Sequence, residues 1–209
     1  MDRISVESLF NNLKNGDMVG FHYEKWYYII GKIINFFSYK VDSKNLIEIE
    51  HIGQAYNVFK NENILTFTFG ESIGHEGGKI STEFSIIKNK NNYMIDSRFR
   101  NKSIESIYIP CIAELTQGEN EKCNEFWALN QKGYNEIYAA VSVNWFQKIF
   151  SKFSKFYKNK TAKDFDNFCS GSVNAFFYEI GFTDNDIAPS PAEIVNQNYI
   201  DKKNIKKIV

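Results

Sequence analysis

The chain offers little sulfur for cross-linking or metal binding. Its three cysteines, Cys111, Cys123 and Cys169, are far apart and form no Cys-x-x-Cys pair, which argues against both a disulfide framework and a structural zinc site. No metal or cofactor is expected. Proline is equally scarce, at three in 209 residues. Without a Ser/Gly/Pro-rich linker, a repeat of fixed period or a low-complexity tract, residues 1–209 read as a single domain, and 43% apolar content suffices for a core. Net charge is missing too. The 25 basic and 25 acidic side chains cancel, so no overall field draws the chain to nucleic acid or to an anionic membrane, and no nucleic-acid partner is expected. Long hydrophobic runs are absent: the most apolar segment, Trp26 to Phe37, is interrupted by Lys32 and Asn35 and falls short of the about 20 residues that cross a bilayer. Met1 to Glu7 shows no secretory pattern, so a cytoplasmic protein without a membrane span is expected. The basic end, Lys202, Lys203, Lys206 and Lys207, reads as a solvated tail.

The patterning that is present changes from strands to helices. Val6 to Leu13 predicts a short helix, Lys14-Asn15-Gly16-Asp17 a turn, and Met18 to Phe21 a strand. Trp26 to Phe37 predicts a helix from apolar spacings of three and four. Alternation over Leu46 to Tyr56 places Ile47, Ile49, His51, Gly53 and Ala55 on one strand face, and alternation over Ile64 to Glu71 groups Leu65, Phe67, Phe69 and Glu71. Shorter candidates near Lys79 to Ile87, Tyr93 to Ile95 and Ser106 to Ile112 complete a run of about five strands. Helical patterns follow over Glu121 to Gln131 and Tyr134 to Tyr157, and a helix or tail is expected after Pro189-Ser190-Pro191. The implied class is α+β, a mostly antiparallel sheet packed against helices.

Cys169 stands ahead of the apolar-periodic run Val173, Phe176, Phe177 and Ile180, which stops at Gly181. That puts its sulfur on the first turn of a short helix, where unpaired N–H groups and the helix dipole favour an anion. A thiolate is a nucleophile, but it needs a base and a group that orients the base. Of the three histidines, His22 falls just past a strand, and His75 lies in a Gly-rich loop where a solvated side chain is expected. His51 is the one polar side chain on an apolar strand face, so a buried ring there must find a hydrogen-bond partner. Glu71 on the same face of the next strand is the natural orienting group. Spacing alone leaves two readings open: a Cys169/His51/Glu71 site, or an ordinary core cysteine, a satisfied structural histidine and a strand-end glutamate turned to water.

Longer stretches sharpen the choice. Leu13-Lys14-Asn15-Gly16-Asp17-Met18-Val19-Gly20-Phe21, Gly31 to Ser38, Glu50-His51-Ile52-Gly53-Gln54-Ala55-Tyr56, Gly70-Glu71-Ser72, Lys132-Gly133-Tyr134-Asn135 and Phe168-Cys169-Ser170-Gly171-Ser172-Val173 occur in that order. Together they resemble the circularly permuted, NlpC-type papain-like cysteine hydrolases (the YiiX-like branch) over nearly the whole chain. The resemblance implies a permuted papain-like fold with histidine first and the nucleophile late, on a C-terminal helix. It implies Cys169 as nucleophile, His51 as general base and then acid, Glu71 as orienting group, and no cofactor or metal. Its implied substrates are peptides or peptidoglycan cross-links. A lipid acyl hydrolase or acyltransferase of the same fold is the nearest enzymatic alternative, and a non-catalytic binding or structural protein, for example of a phage particle, stands beside both.

Overall fold

A computed structural model describes residues 2–23, 49–73, 78–90, 92–100, 104–129, 169–184, 189 and 191–209. The helices expected over Trp26 to Phe37 and Tyr134 to Tyr157, the segment Gly31 to Ser38, the motif Lys132 to Asn135 and His75 lie outside these residues, as do the first residues of the Leu46 strand.

Local chemistry shapes the elements before packing joins them. Helix α1 (Val6–Asn12) follows the short strand β1 (Arg3–Ile4) and is capped by Ser5, whose Oγ accepts from the Ser8 N–H at 3.2 Å. The next turn needs Gly16, which sits at φ +98°, a region costly for other residues. Strands β2 (Met18–Tyr23), β3 (His51–Lys60), β4 (Ile64–Ile73), β5 (Gly78–Asn89), β6 (Asn92–Ile95) and β7 (Ile104–Ile109) match the alternating segments. Helices α2 (Gln117–Leu129) and α3 (Cys169–Glu179) come after them. At the end of α3, Gly181 at φ +78° donates to the Tyr178 carbonyl and Phe182 donates to that of Phe177. The Phe177 and Phe182 rings, 5.8 Å apart, supply the hydrophobic contact that accompanies this kind of C-terminal stop.

The sheet has eight strands in the order β1-β8-β7-β2-β3-β4-β5-β6, which corrects the expectation of about five. Among the described pairs only β1 with β8 (Lys206–Ile208) is parallel. Met18–Tyr23 joins β3 and β7 as an inner strand, and the chain ends add two short strands that carry no period to read. The expected terminal helix or tail is also corrected. After Pro191 the chain makes two 3-10 turns, Ala192–Asn196 and Lys202–Asn204, and then β8. Lys206 and Lys207 belong to that strand, and the Lys207 ammonium pairs with Glu105 on β7. Among the described residues no helix is long and apolar enough to cross a membrane.

Each face of the sheet carries its own core. On one, α1 brings Leu9 and Phe10 against Val19, Phe21, Ala55, Phe67, Phe69 and Phe99. On the other, Trp127 of α2 and Val173, Phe176 and Phe177 of α3 pack on Met18, Ile52, Tyr56, Ile107 and Ile109. The second face is close enough that β4 needs a glycine, because a Cβ at Gly70 would lie 2.4 Å from Trp127. Trp127 is anchored by its Nε1 donating to Gln54 at 3.1 Å, so it has little room to yield. Gly70→Ala is therefore expected to lower stability by about 1–3 kcal/mol, read as a lower midpoint in urea at unchanged slope. An unchanged midpoint would show that α2 can shift outward freely.

Candidate active site

His51 is the first residue of β3, paired in register with Phe21 of β2. Glu71 on β4 pairs with Gly53, so His51 and Glu71 share a face as diagonal neighbours, within reach of two long side chains. Their contact is direct: His51 Nε2 lies 2.7 Å from Glu71 Oε2. Phe21 stacks on the ring, with centroids 6.0 Å apart at 23°. Cys169 comes from the other side. It is the first described residue of α3 and belongs to the core on the helical face, whereas Glu71 alternates with Phe67 and Phe69 of the opposite core. His51, at the mouth of its strand, bridges the two faces: Glu71 is hydrogen-bonded to its ring, and the Cys169 thiol is close enough to raise its proton affinity. Since Nε2 is engaged by the carboxylate, Nδ1 is the nitrogen left for the thiol.

Electrostatics follow from burial. Glu71 has 0% side-chain exposure and His51 13%, and the Cys169 residue is 3% exposed. Burial opposes a charged ring, yet the hydrogen bonds to Cys169 and then to Glu71, with their charges, raise His51 from 6.5 to about 9. Burial likewise works against an ionised Glu71, but His51 and Arg98 outweigh it and hold the carboxyl below its usual value of 4.5. Folding thus strengthens proton binding at His51, and its contribution to stability is complete below pH 6.5 and lost as pH rises through about 9.

All three residues singled out from the sequence come together here. The reading of Glu71 as a strand-end side chain turned to water is corrected by its complete burial inside β4. His22, expected just past a strand, lies within β2 with Nδ1 3.0 Å from Glu50 Oε2. Ile49, expected on the face of His51, precedes β3 and packs in the opposite core, because strand geometry begins only at His51 and the alternation does not reach back to it. Cys111 and Cys123 are buried thiols pushed upward by desolvation; their sulfurs donate to the Gly16 carbonyl at 2.9 Å and to Gln54 Oε1 at 3.5 Å. Neither has a base beside it among those bonds.

Arg98 is the residue the sequence reading missed. It sits in the 3-10 turn Ser97–Arg100, where its N–H donates to Asp96 Oδ1 at 2.8 Å. Its Nη1 donates to Glu71 Oε1 at 2.6 Å and its Nη2 to Glu71 Oε2. One signal was available: among 25 basic side chains only Arg3, Arg98 and Arg100 are arginines, and arginine is the residue suited to a forked carboxylate contact. Among the described residues no group of three or more His, Cys, Asp or Glu side chains is placed to hold a metal ion. No protein-family model matches the chain, and no curated protein matches its sequence.

Proposed function

We propose that the chain is a thiol hydrolase that cleaves amide bonds through an acyl-enzyme on Cys169, within a permuted papain-like arrangement. The observation that carries this reading is one imidazole, His51, held by Glu71 at 2.7 Å, with the Cys169 thiol close enough to raise its proton affinity. The order of the elements supports it: the histidine strand comes first, the acidic strand next and the cysteine helix late. In the resting pair His51 holds the thiol's proton. The Cys169 sulfur attacks the carbonyl carbon, and His51 gives its proton to the leaving amine as the C–N bond breaks. Neutral His51 then takes a proton from water, which attacks the acyl group. The C–S bond breaks and the proton returns to the site. Glu71 keeps the ring in one tautomer and stabilises the imidazolium, while by the same resemblance the Cys169 backbone N–H is a donor to the developing oxyanion.

By resemblance the substrates are peptides or peptidoglycan cross-links with γ-glutamyl or D-amino-acid bonds. Intact-mass measurement after incubation with peptidoglycan fragments is expected to show an acyl adduct on Cys169 that is absent from Cys169→Ser. An adduct formed only with short-chain phospholipids would reassign the chain to lipid acyl chemistry. No adduct, together with the slow, high-pH alkylation of an ordinary thiol, would sink the enzyme reading and leave a binding or structural role.

A further inference from the structure

Glu71 cannot do its work unaided. A carboxylate with no solvent exposure is driven toward its neutral form, and a neutral Glu71 would neither fix the tautomer of His51 nor balance an imidazolium. We propose that Arg98 is a positioning residue for this site, holding Glu71 ionised and in one orientation behind His51. This extends the chain of contacts to Cys169, His51, Glu71 and Arg98. The inference rests on the reading of Cys169 and His51 as nucleophile and base.

The geometry carries it. Both guanidinium Nη groups reach the carboxylate, one to each oxygen, so Glu71 cannot rotate about its last bond without losing two charge-assisted bonds. The guanidinium is itself fixed, with Cζ 5.0 Å from the Phe21 ring centroid, 5.7 Å from Phe69 and 5.9 Å from Phe84. Phe21 also stacks on His51, so one ring braces both partners of Glu71. Among the described residues the groups that act on Glu71 are His51 from β3 and Arg98 from the turn after β6, with Cys169 of α3 beyond the imidazole. Asp96 is engaged with the Arg98 backbone N–H. Lys79 of β5 lies on the opposite face, its ammonium over the Phe126 ring. Arg98 is thus the one fixed cation against the carboxylate among the described residues, and a lysine could supply its charge but not its fork.

The test uses the full chain as wild type, Arg98→Gln and Arg98→Lys, each shown to be folded by circular dichroism. Two midpoints are read: ionisation of the Glu71 carboxyl by carbon-13 NMR, and the acid limb of Cys169 alkylation by iodoacetamide. Removing a cation and two donors must raise the proton affinity of Glu71. In Arg98→Gln both midpoints are expected to move up by about one pH unit or more. Arg98→Lys should return the Glu71 midpoint most of the way while alkylation at pH 6 stays below wild type. A Glu71 midpoint unmoved in Arg98→Gln overturns the inference, and so does one that moves while the alkylation limb stays. If the wild-type thiol alkylates like any free cysteine, the nucleophile reading has failed and this inference falls with it, a result told apart by its appearance before any substitution at Arg98.

Discussion

Replacing His51 by alanine is expected to slow alkylation of Cys169 by iodoacetamide at pH 6 by about tenfold or more, and to turn a flat pH profile into one that climbs about tenfold per unit. The size follows from two opposing effects. A thiol of ordinary acidity, near 8.5, is only about 0.3% thiolate at pH 6, so losing the imidazolium removes most of the reactive form. A thiolate held by an imidazolium is the weaker nucleophile per ion, which returns about one order of magnitude of that loss. The population term is the larger, so the net direction is a loss. In the wild type the flat region should extend upward toward the point where His51 gives up its proton, at about 9, and the rate should step up above it, because the thiolate freed of the imidazolium is the stronger nucleophile. Equal profiles for wild type and His51→Ala would show that the ring does not control the thiol, and the proposed mechanism would have no base.

The second large effect concerns the frame that holds β2 in place. Asp17 is fully buried and accepts three hydrogen bonds: from the Tyr108 hydroxyl at 2.6 Å, the Cys111 N–H at 2.9 Å and the Lys14 N–H at 3.0 Å. It ties the turn before β2 to Tyr108 of β7 and to Cys111 just past that strand. Asp17→Ala leaves the Cys111 and Lys14 N–H groups without that acceptor and the Tyr108 hydroxyl with only the longer contact to the Asn12 carbonyl at 3.3 Å. At about 1–3 kcal/mol for each orphaned buried group, the expected loss is about 3–5 kcal/mol, a large share of the 5–15 kcal/mol typical of a folded domain. Urea unfolding measures it directly, and a loss below about 1 kcal/mol would mean that water replaces the carboxylate.

The same residue also gives a pH signature. Burial raises Asp17 from 3.8 to about 6, against the lowering effect of Tyr108, Cys111 and Lys14. Because the folded state binds this proton more tightly, the contribution is complete below pH 3.8 and is lost as pH rises through about 6. The stability gap between wild type and Asp17→Asn should therefore narrow across that window. Glu71 acts in the opposite sense, since its carboxyl is held below 4.5, and its contribution is lost as pH falls. Comparing the two proteins cancels the Glu71 effect.

Much of this site is legible in local sequence because it depends on parity. Two positions of equal parity on one strand share a face, and that is enough to put His51 with Gly53 and Ala55, and Glu71 with Phe67 and Phe69. Adjacent antiparallel strands then bring the two faces together, as the pairing of Gly53 with Glu71 shows. Arg98 follows no such rule. It lies in a turn between β6 and β7, and the sheet order, not a period, carries that turn back over Glu71.

Local sequence places Cys169 least of the three, for the same reason. Its helical run, Val173, Phe176 and Phe177, records a buried face, but the pattern does not state which face of the sheet that helix covers. His51 and Glu71 turn toward one core, and Cys169 belongs to the other. Their meeting depends on His51 standing at the very start of β3, where a side chain can reach past the sheet to either face.

The amino-acid sequence by itself determined the elements whose period records burial: the alternating strands from β2 to β7, the short helix α1 and the α3 stop at Gly181. It also determined the parity that sets His51 beside Glu71. Only the tertiary structure decided that the chain ends pair as β1 and β8, that Lys206 and Lys207 belong to a strand, and that Arg98 grips Glu71 behind the histidine. The reason is physical. Burial on one face is written into neighbouring residues by the repeat of the backbone, whereas pairing between distant segments is settled by chain closure and packing, which leave no repeat for a sequence to display.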